Sequence, residues 1–215
     1  MDKKKLQFEQ AMEFLNKADE NIKNLFIQLG DSEFDYTFLF AGGVARRSCA
    51  LIAGFKSMIK EKNSVCALAL VRLQLDNSLR LYAGFFSKDR NKFSADVLKG
   101  IQINKMMSDE NKNMTDNYLA KRVSEINPWV MNVYRTTSGY VHLSEAHIKG
   151  ALKRKGGNRF EMVIGPNDID RDPTDFLESL QCFAHITMMI ENQLQDWLGL
   201  MKRDDLSGEE SSINQ

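Results

Sequence analysis

The stretch that decides the fold is Ser64 to Ser87, SVCALALVRLQLDNSLRLYAGFFS. At about 100° per residue, Leu68, Leu70, Val71, Leu75, Leu79, Leu81, Phe85 and Phe86 cover most of a helix circumference, and a helix apolar nearly all round lies inside a fold. It predicts a buried central helix. One narrow polar line crosses it: Arg72, Asp76 and Arg80, at i, i+4 and i+8, with an acid between two bases. Because charges are rarely buried unpaired, this line either closes into an internal Arg-Asp-Arg ladder or borders a cleft.

Outward from this helix, the three prolines are Pro128, Pro166 and Pro173, so nothing interrupts helices over the first 127 residues. On the N-terminal side, Phe8, Ala11, Leu15, Ala18, Ile22, Leu25 and Leu29 step by threes and fours up to Gly30, which predicts one long amphipathic helix. A second is expected from about Asp35 to Lys60, with Gly42 and Gly43 as a possible bend, and Asn63 and Ser64 supply a turn and cap into the central helix. On the C-terminal side the pattern predicts a short helix over Ser94–Lys99, another capped by Thr115 or Asp116, and one from Trp129 to about Ser144 with Asn127 and Pro128 as cap and first turn. Residues 147–164 read as a β-hairpin turning at Gly156 and Gly157, with Phe160, Met162 and Ile164 alternating. Asp172, Pro173 and Asp175 open a last long helix, whose seam runs through Phe176, Leu180, Phe183, Thr187, Ile190, Leu194, Trp197 and Met201. The expected architecture is all-α: an antiparallel helical bundle around a buried central helix, one domain over residues 1–203, with one small hairpin inserted before the last helix. The stretch 204–215 has little apolar content, Leu206 and Ile213 only, and is expected to be a disordered tail.

The chain has 215 residues, 43% hydrophobic and 27% charged, which suits one substantial core. Its 29 lysines and arginines balance its 29 acids, so global charge calls for neither nucleic acid nor an anionic membrane. Val65–Val71 is too short an apolar run to span a bilayer. Cys49, Cys66 and Cys182 are odd in number and follow no metal or redox spacing, which predicts reduced core thiols and a cytoplasmic protein. His147 and His185 have no ligand-spaced partners, so no metal or cofactor is called for. P-loop, GxGxxG, GxSxG and HExxH motifs do not occur, which argues against the chemistries they serve.

The most informative polar stretch is NPWVMNVYRTTSGYVHLSEAH, residues 127–147. On a helical projection Trp129, Val133 and Tyr140 share a face assigned to the core. Arg135 and His142 lie roughly opposite and differ by only about 20°, across a surface kept low by Ser138 and Gly139. A guanidinium that binds phosphate oxygens and an imidazole that titrates near neutrality can together hold a phosphodiester and move a proton. The bland alternative is an Arg135 ion pair and a helix-capping His142. Downstream, Lys149, Lys153, Arg154, Lys155 and Arg159 surround the hairpin turn and could grip a phosphate backbone, or could form a solvated loop.

Arg135 to His142 reads R-x6-H, the outer limit of the R-x4-6-H motif, and in this respect the chain resembles the HEPN superfamily of small α-helical bundles, found among bacterial toxins, abortive-infection proteins and RNA-processing factors. The resemblance implies a metal-independent endoribonuclease with Arg135 and His142 as its catalytic pair at a symmetric homodimer interface, of a toxin or defence type. It also places Asp76 where some members carry a carboxylate, so that Arg72, Asp76, Arg80, Ser138 and Gly139 would line the site. Non-catalytic members serve as interaction domains, which gives the alternative of a protein-docking module. RNA, an antitoxin or another protein, and a second copy of the chain are the partners this implies. The stepped seams of the first and last helices also suit a homodimer.

Overall fold

The computed structural model describes residues 3–27, 35–157, 159–166, 168 and 172–213. Its helices are α1 (Lys3–Ile27), α2 (Tyr36–Lys60), α3 (Ser64–Phe85), α4 (Arg90–Leu98), α5 (Asp116–Ile126), α6 (Val130–Val141), α7 (Glu145–Gly150) and α8 (Leu177–Ile213). The hairpin strands are β1 (Leu152–Gly156) and β2 (Arg159–Met162), and short 3-10 turns lie at Ile103–Lys105 and Pro173–Phe176. The chain is therefore all-α with one small antiparallel hairpin before the last long helix. An isolated bridge between Met107 and Asn113 is further pairing outside the hairpin.

Side-chain caps set the helix starts. Asp35 accepts from Phe38 N at the head of α2, Asn63 from Cys66 N at α3, Asp89 from Lys92 N at α4 and Thr115 from Tyr118 N at α5. Asp172 and Asp175 form a reciprocal box at the turn that leads into α8. Asn127 does not cap α6. Its amide donates to Tyr82 Oη at 3.3 Å while its carbonyl accepts from Val130 N, so Trp129 holds the cap position without a side-chain bond.

The central helix is as buried as its pattern predicts. Val71, Leu75, Leu79 and Leu81 are at most 1% exposed, and α3 packs on α2, α4, α5, α6 and α8. Phe55 of α2 stacks on Phe183 of α8 with ring centroids 4.1 Å apart. Hydropathy alone did not foretell a polar thread through this core. Gln74 donates to Ser48 Oγ at 2.7 Å and Thr187 Oγ1 at 3.0 Å, Asn77 to the Val44 carbonyl, and Ser78 to Gln193 Oε1 at 2.8 Å. These bonds fix the register of α2, α3 and α8, since a slip of either neighbour would orphan buried amides. α2 is long and apolar enough to cross a membrane by length and composition, and its Val44, Ile52 and Phe55 are buried in the bundle.

Several expectations are corrected. The seams of α1 and α8 meet each other within one chain, through Leu15, Ala18 and Ile22 on α1, so they are not free to build a dimer. Leu29 and Gly30 lie outside the described residues. α8 extends to Ile213. Residues 147–150, expected in the hairpin, belong to α7, where Ser144 and His147 form a capping box. Cys66 is exposed rather than in the core. Cys49 and Cys182 are half-buried, and burial pushes both thiols up to about 11, which keeps them protonated and unreactive.

Candidate functional site

α6 is positioned by a buried line through Val130 and Thr137, with Trp129, Val133 and Tyr140 half-buried on its flank rather than at its centre. Arg135 stays opposite this line and is exposed. The helix ends at Val141, short of Ser144, and His142 has extended backbone (φ −118°, ψ 150°). The helical projection therefore stops one residue before the imidazole: Arg135 and His142 share the end of α6 but not one regular helical face. Ser138 donates back to the Tyr134 carbonyl at 2.6 Å, and Gly139 faces the Ser144 side chain, where an added Cβ would stand 3.3 Å from Oγ. The neighbouring 370 Å³ groove takes Asn132, Thr136, Thr137 and Tyr140 from α6, and neither Arg135 nor His142 lines it.

The polar line on α3 keeps one pair of the expected ladder, Asp76 with Arg80, and extends it into an interhelical network. Asp76 bridges Arg80 at 3.1 Å and Arg47 of α2 at 3.2 Å. Asp116, the first residue of α5, pairs closely with Arg80 and stands 3.7 Å from Arg72 Nη2. The Arg72 guanidinium lies 4.4 Å over the Tyr134 ring, so α6 is tied to α3 by a cation–π contact. Arg47, Asp116 and Tyr134 are the partners that helical spacing on α3 alone could not find, because each comes from another helix. Nη1 of Arg72 and of Arg80 are buried without a protein acceptor.

The basic hairpin is partly neutralised. Lys149 pairs with Glu145 one turn back on α7, and Lys155 with Glu161 at 2.9 Å across the hairpin. Arg154 donates to the Gly157 carbonyl at 3.4 Å and Arg159 is exposed, while the side chain of Lys153 lies outside what is described. Gly156 and Gly157 turn the chain with φ of 100° and 57°. The register pairs Leu152 with Met162 and Arg154 with Phe160, so the alternation of β2 is real, yet Phe160 and Met162 are each 60% exposed. Together with Leu143 at 86% and Ile164 at 84%, they make an arm whose apolar side chains have no cover in the single chain.

Among the described residues no cluster of His, Cys, Asp and Glu could hold a metal ion. Comparison with protein-family models, with curated proteins and with solved structures finds no match to this chain.

Proposed function

We propose that the chain is a HEPN-like metal-independent endoribonuclease, of a toxin or defence type, whose site is completed when two copies meet at the end of α6. The observation that carries this is the state of the pair. Arg135 and His142 are both exposed, neither fills the core, and among the described residues neither has an ion-pair or hydrogen-bond partner that would make it structural. One copy offers a cation and an imidazole on an open edge. A second would supply another of each and exclude water, beside the uncovered apolar residues Val141 and Leu143. In that arrangement one imidazole takes the proton of the ribose 2′-hydroxyl, and the guanidinium neutralises the charge developing on the phosphate. The second imidazole, as imidazolium, protonates the departing 5′-oxygen. The products are a 2′,3′-cyclic phosphate and a 5′-hydroxyl. The exposed Arg154 and Arg159 would draw the RNA backbone toward the same end of the molecule.

The apolar arm favours a second reading, a docking module for another protein such as an antitoxin, with Arg135 and His142 at its rim. Incubating the purified protein with total RNA in EDTA separates the two. The nuclease reading expects cleavage with cyclic-phosphate ends that Arg135→Ala and His142→Ala each abolish while thermal stability is unchanged. An intact wild-type dimer that cuts no RNA, with or without added metal, leaves the docking module.

A further inference from the structure

A groove of about 840 Å³ lies between the C-terminal turns of α3, the α5–α6 turn and one face of α8. Its floor is Phe86 and Met189, both buried, and its walls are the half-buried rings of Tyr82, Phe85 and Trp129. The helix α8 leaves His185, Asn192 and Asp196 exposed along its mouth. Among the described residues that line it there is one carboxylate, Asp196, and neither a lysine nor an arginine. Tyr82 stacks on Phe86 with centroids 5.7 Å apart and 17° between planes, so the two rings form one rigid platform whose Tyr82 hydroxyl is held by Asn127. Burial raises the pKa of that hydroxyl, and the Asp196 charge adds to the rise.

Aromatic faces carry a negative quadrupole, and several of them beside a carboxylate that has no ion pair among the described residues make a surface that attracts cations while keeping an apolar interior. This chain already uses that chemistry twice for its own guanidiniums, Arg72 over Tyr134 at 4.4 Å and Arg122 over Phe86 at 3.9 Å. We propose that the groove between α3, the α5–α6 turn and α8 is a binding site for a small organic ammonium ion with an apolar body, seated on Tyr82 and Trp129 with Asp196 as counter-charge. The volume lies within the range of small-molecule sites. Among the described residues no group of His, Cys, Asp and Glu stands here to hold a metal ion, and a lining with neither lysine nor arginine does not suit a phosphate or carboxylate ligand. The site is independent of Arg135 and His142, and does not require the chain to be a nuclease.

The test is isothermal titration of the full chain with benzyltrimethylammonium and with choline, set against 3,3-dimethylbutan-1-ol, the neutral carbon isostere of choline. Trp129 emission serves as a second readout. Both ammonium ions are expected to bind and to perturb the emission, and the isostere to bind at least about fivefold more weakly. Asp196→Asn should weaken the ammonium ions by about three- to thirtyfold without changing the circular dichroism spectrum, since Asp196 is exposed. Trp129→Leu should also weaken them; if that variant fails to fold, Asp196→Asn alone carries the result. Equal binding of choline and its isostere, an unchanged affinity in Asp196→Asn, or no heat up to about 10 mM of either ammonium ion would each overturn the proposal.

Discussion

The charged seam of α3 and the arm that runs from the end of α6 through α7 and the hairpin both carry arginines and acids, but they connect them differently. In the seam, Asp76 and Asp116 reach across to Arg47, Arg72 and Arg80, joining α2, α3 and α5. In the arm, Glu145 pairs with Lys149 within α7 and Lys155 with Glu161 across one two-stranded hairpin. Pairs between helices fix how helices pack, whereas pairs inside one element fix only that element. The seam therefore spends its charges on the bundle. The arm holds its own shape and leaves its apolar face and Arg135 uncommitted, which is the arrangement an interface needs.

The sharpest way to break this contrast is to add one methyl group to each region. A Cβ at Gly84 would stand 2.6 Å from Trp197 Cζ3 and 2.7 Å from Cη2, on a ring that is 1% exposed and anchored by its N–H to the Thr37 carbonyl. Gly84→Ala is expected to lower stability by about 2–3 kcal/mol, although alanine's helix propensity returns about 1. At Gly139 the nearest group is the Ser144 hydroxyl at 3.3 Å, which can rotate away, so Gly139→Ala should be neutral or stabilising by up to about 1 kcal/mol. Equal losses in urea titration would mean that the arm is packed as tightly as the bundle.

A smaller effect separates the charges themselves. Asp76→Ala removes the counter-ion of Arg47 and one of the two of Arg80, and Arg80 already has a buried unpartnered nitrogen, so the cost should be about 1–2 kcal/mol, discounted for partial exposure. Arg135→Ala should change stability by no more than about 0.5 kcal/mol. If Arg135→Ala destabilised the chain as much as Asp76→Ala, Arg135 would be a structural cation and the proposed nuclease site would lose half its chemistry.

What could be read from the sequence follows the range of the interactions. The central helix, the cap at Asn63, the α5 cap placed at Thr115 or Asp116 and the alternation of Phe160 and Met162 depend on neighbours within a turn or a strand, and spacing exposes them. The helical pattern runs on to about Ser144, three residues past the end of α6; the break comes from Ser144 capping the next helix with His147. The partners of Arg72 and Arg80 were invisible because they come from α5 and α6, and nothing local in those helices marks Asp116 or Tyr134 as facing α3. The same holds for the groove above Phe86, whose rings come from α3, α8 and the α5–α6 turn. Period alone distinguishes inside from outside, but not which outside faces converge.

A further small effect concerns Arg122, which shows what full commitment of a cation looks like beside the uncommitted Arg135. Its guanidinium lies 3.9 Å over Phe86 and grips both oxygens of Asp109, one at 2.8 Å, pinning the 106–114 loop to the end of α3, where Asp109 N also donates to the Phe86 carbonyl at 2.7 Å. The Arg122 hydrogen bonds hold the Asp109 carboxyl below its usual 3.8, and Glu110 is lowered in the same direction, chiefly by Lys112. A carboxyl whose folded pKa is depressed stabilises the fold above its unfolded value, and that contribution disappears as pH falls through the folded value. Both acids are well exposed, so the Asp109 pair is worth less than about 1 kcal/mol. Arg122→Gln should therefore lower the melting temperature slightly at about pH 6, and the gap from wild type should narrow on acidification, as pH falls through the depressed folded value of Asp109. What persists at the acid end is the stacking on Phe86. A gap that stays constant across that range would assign the whole effect to stacking, and the carboxylate would then be no more committed to the bundle than the local pairs of the arm are.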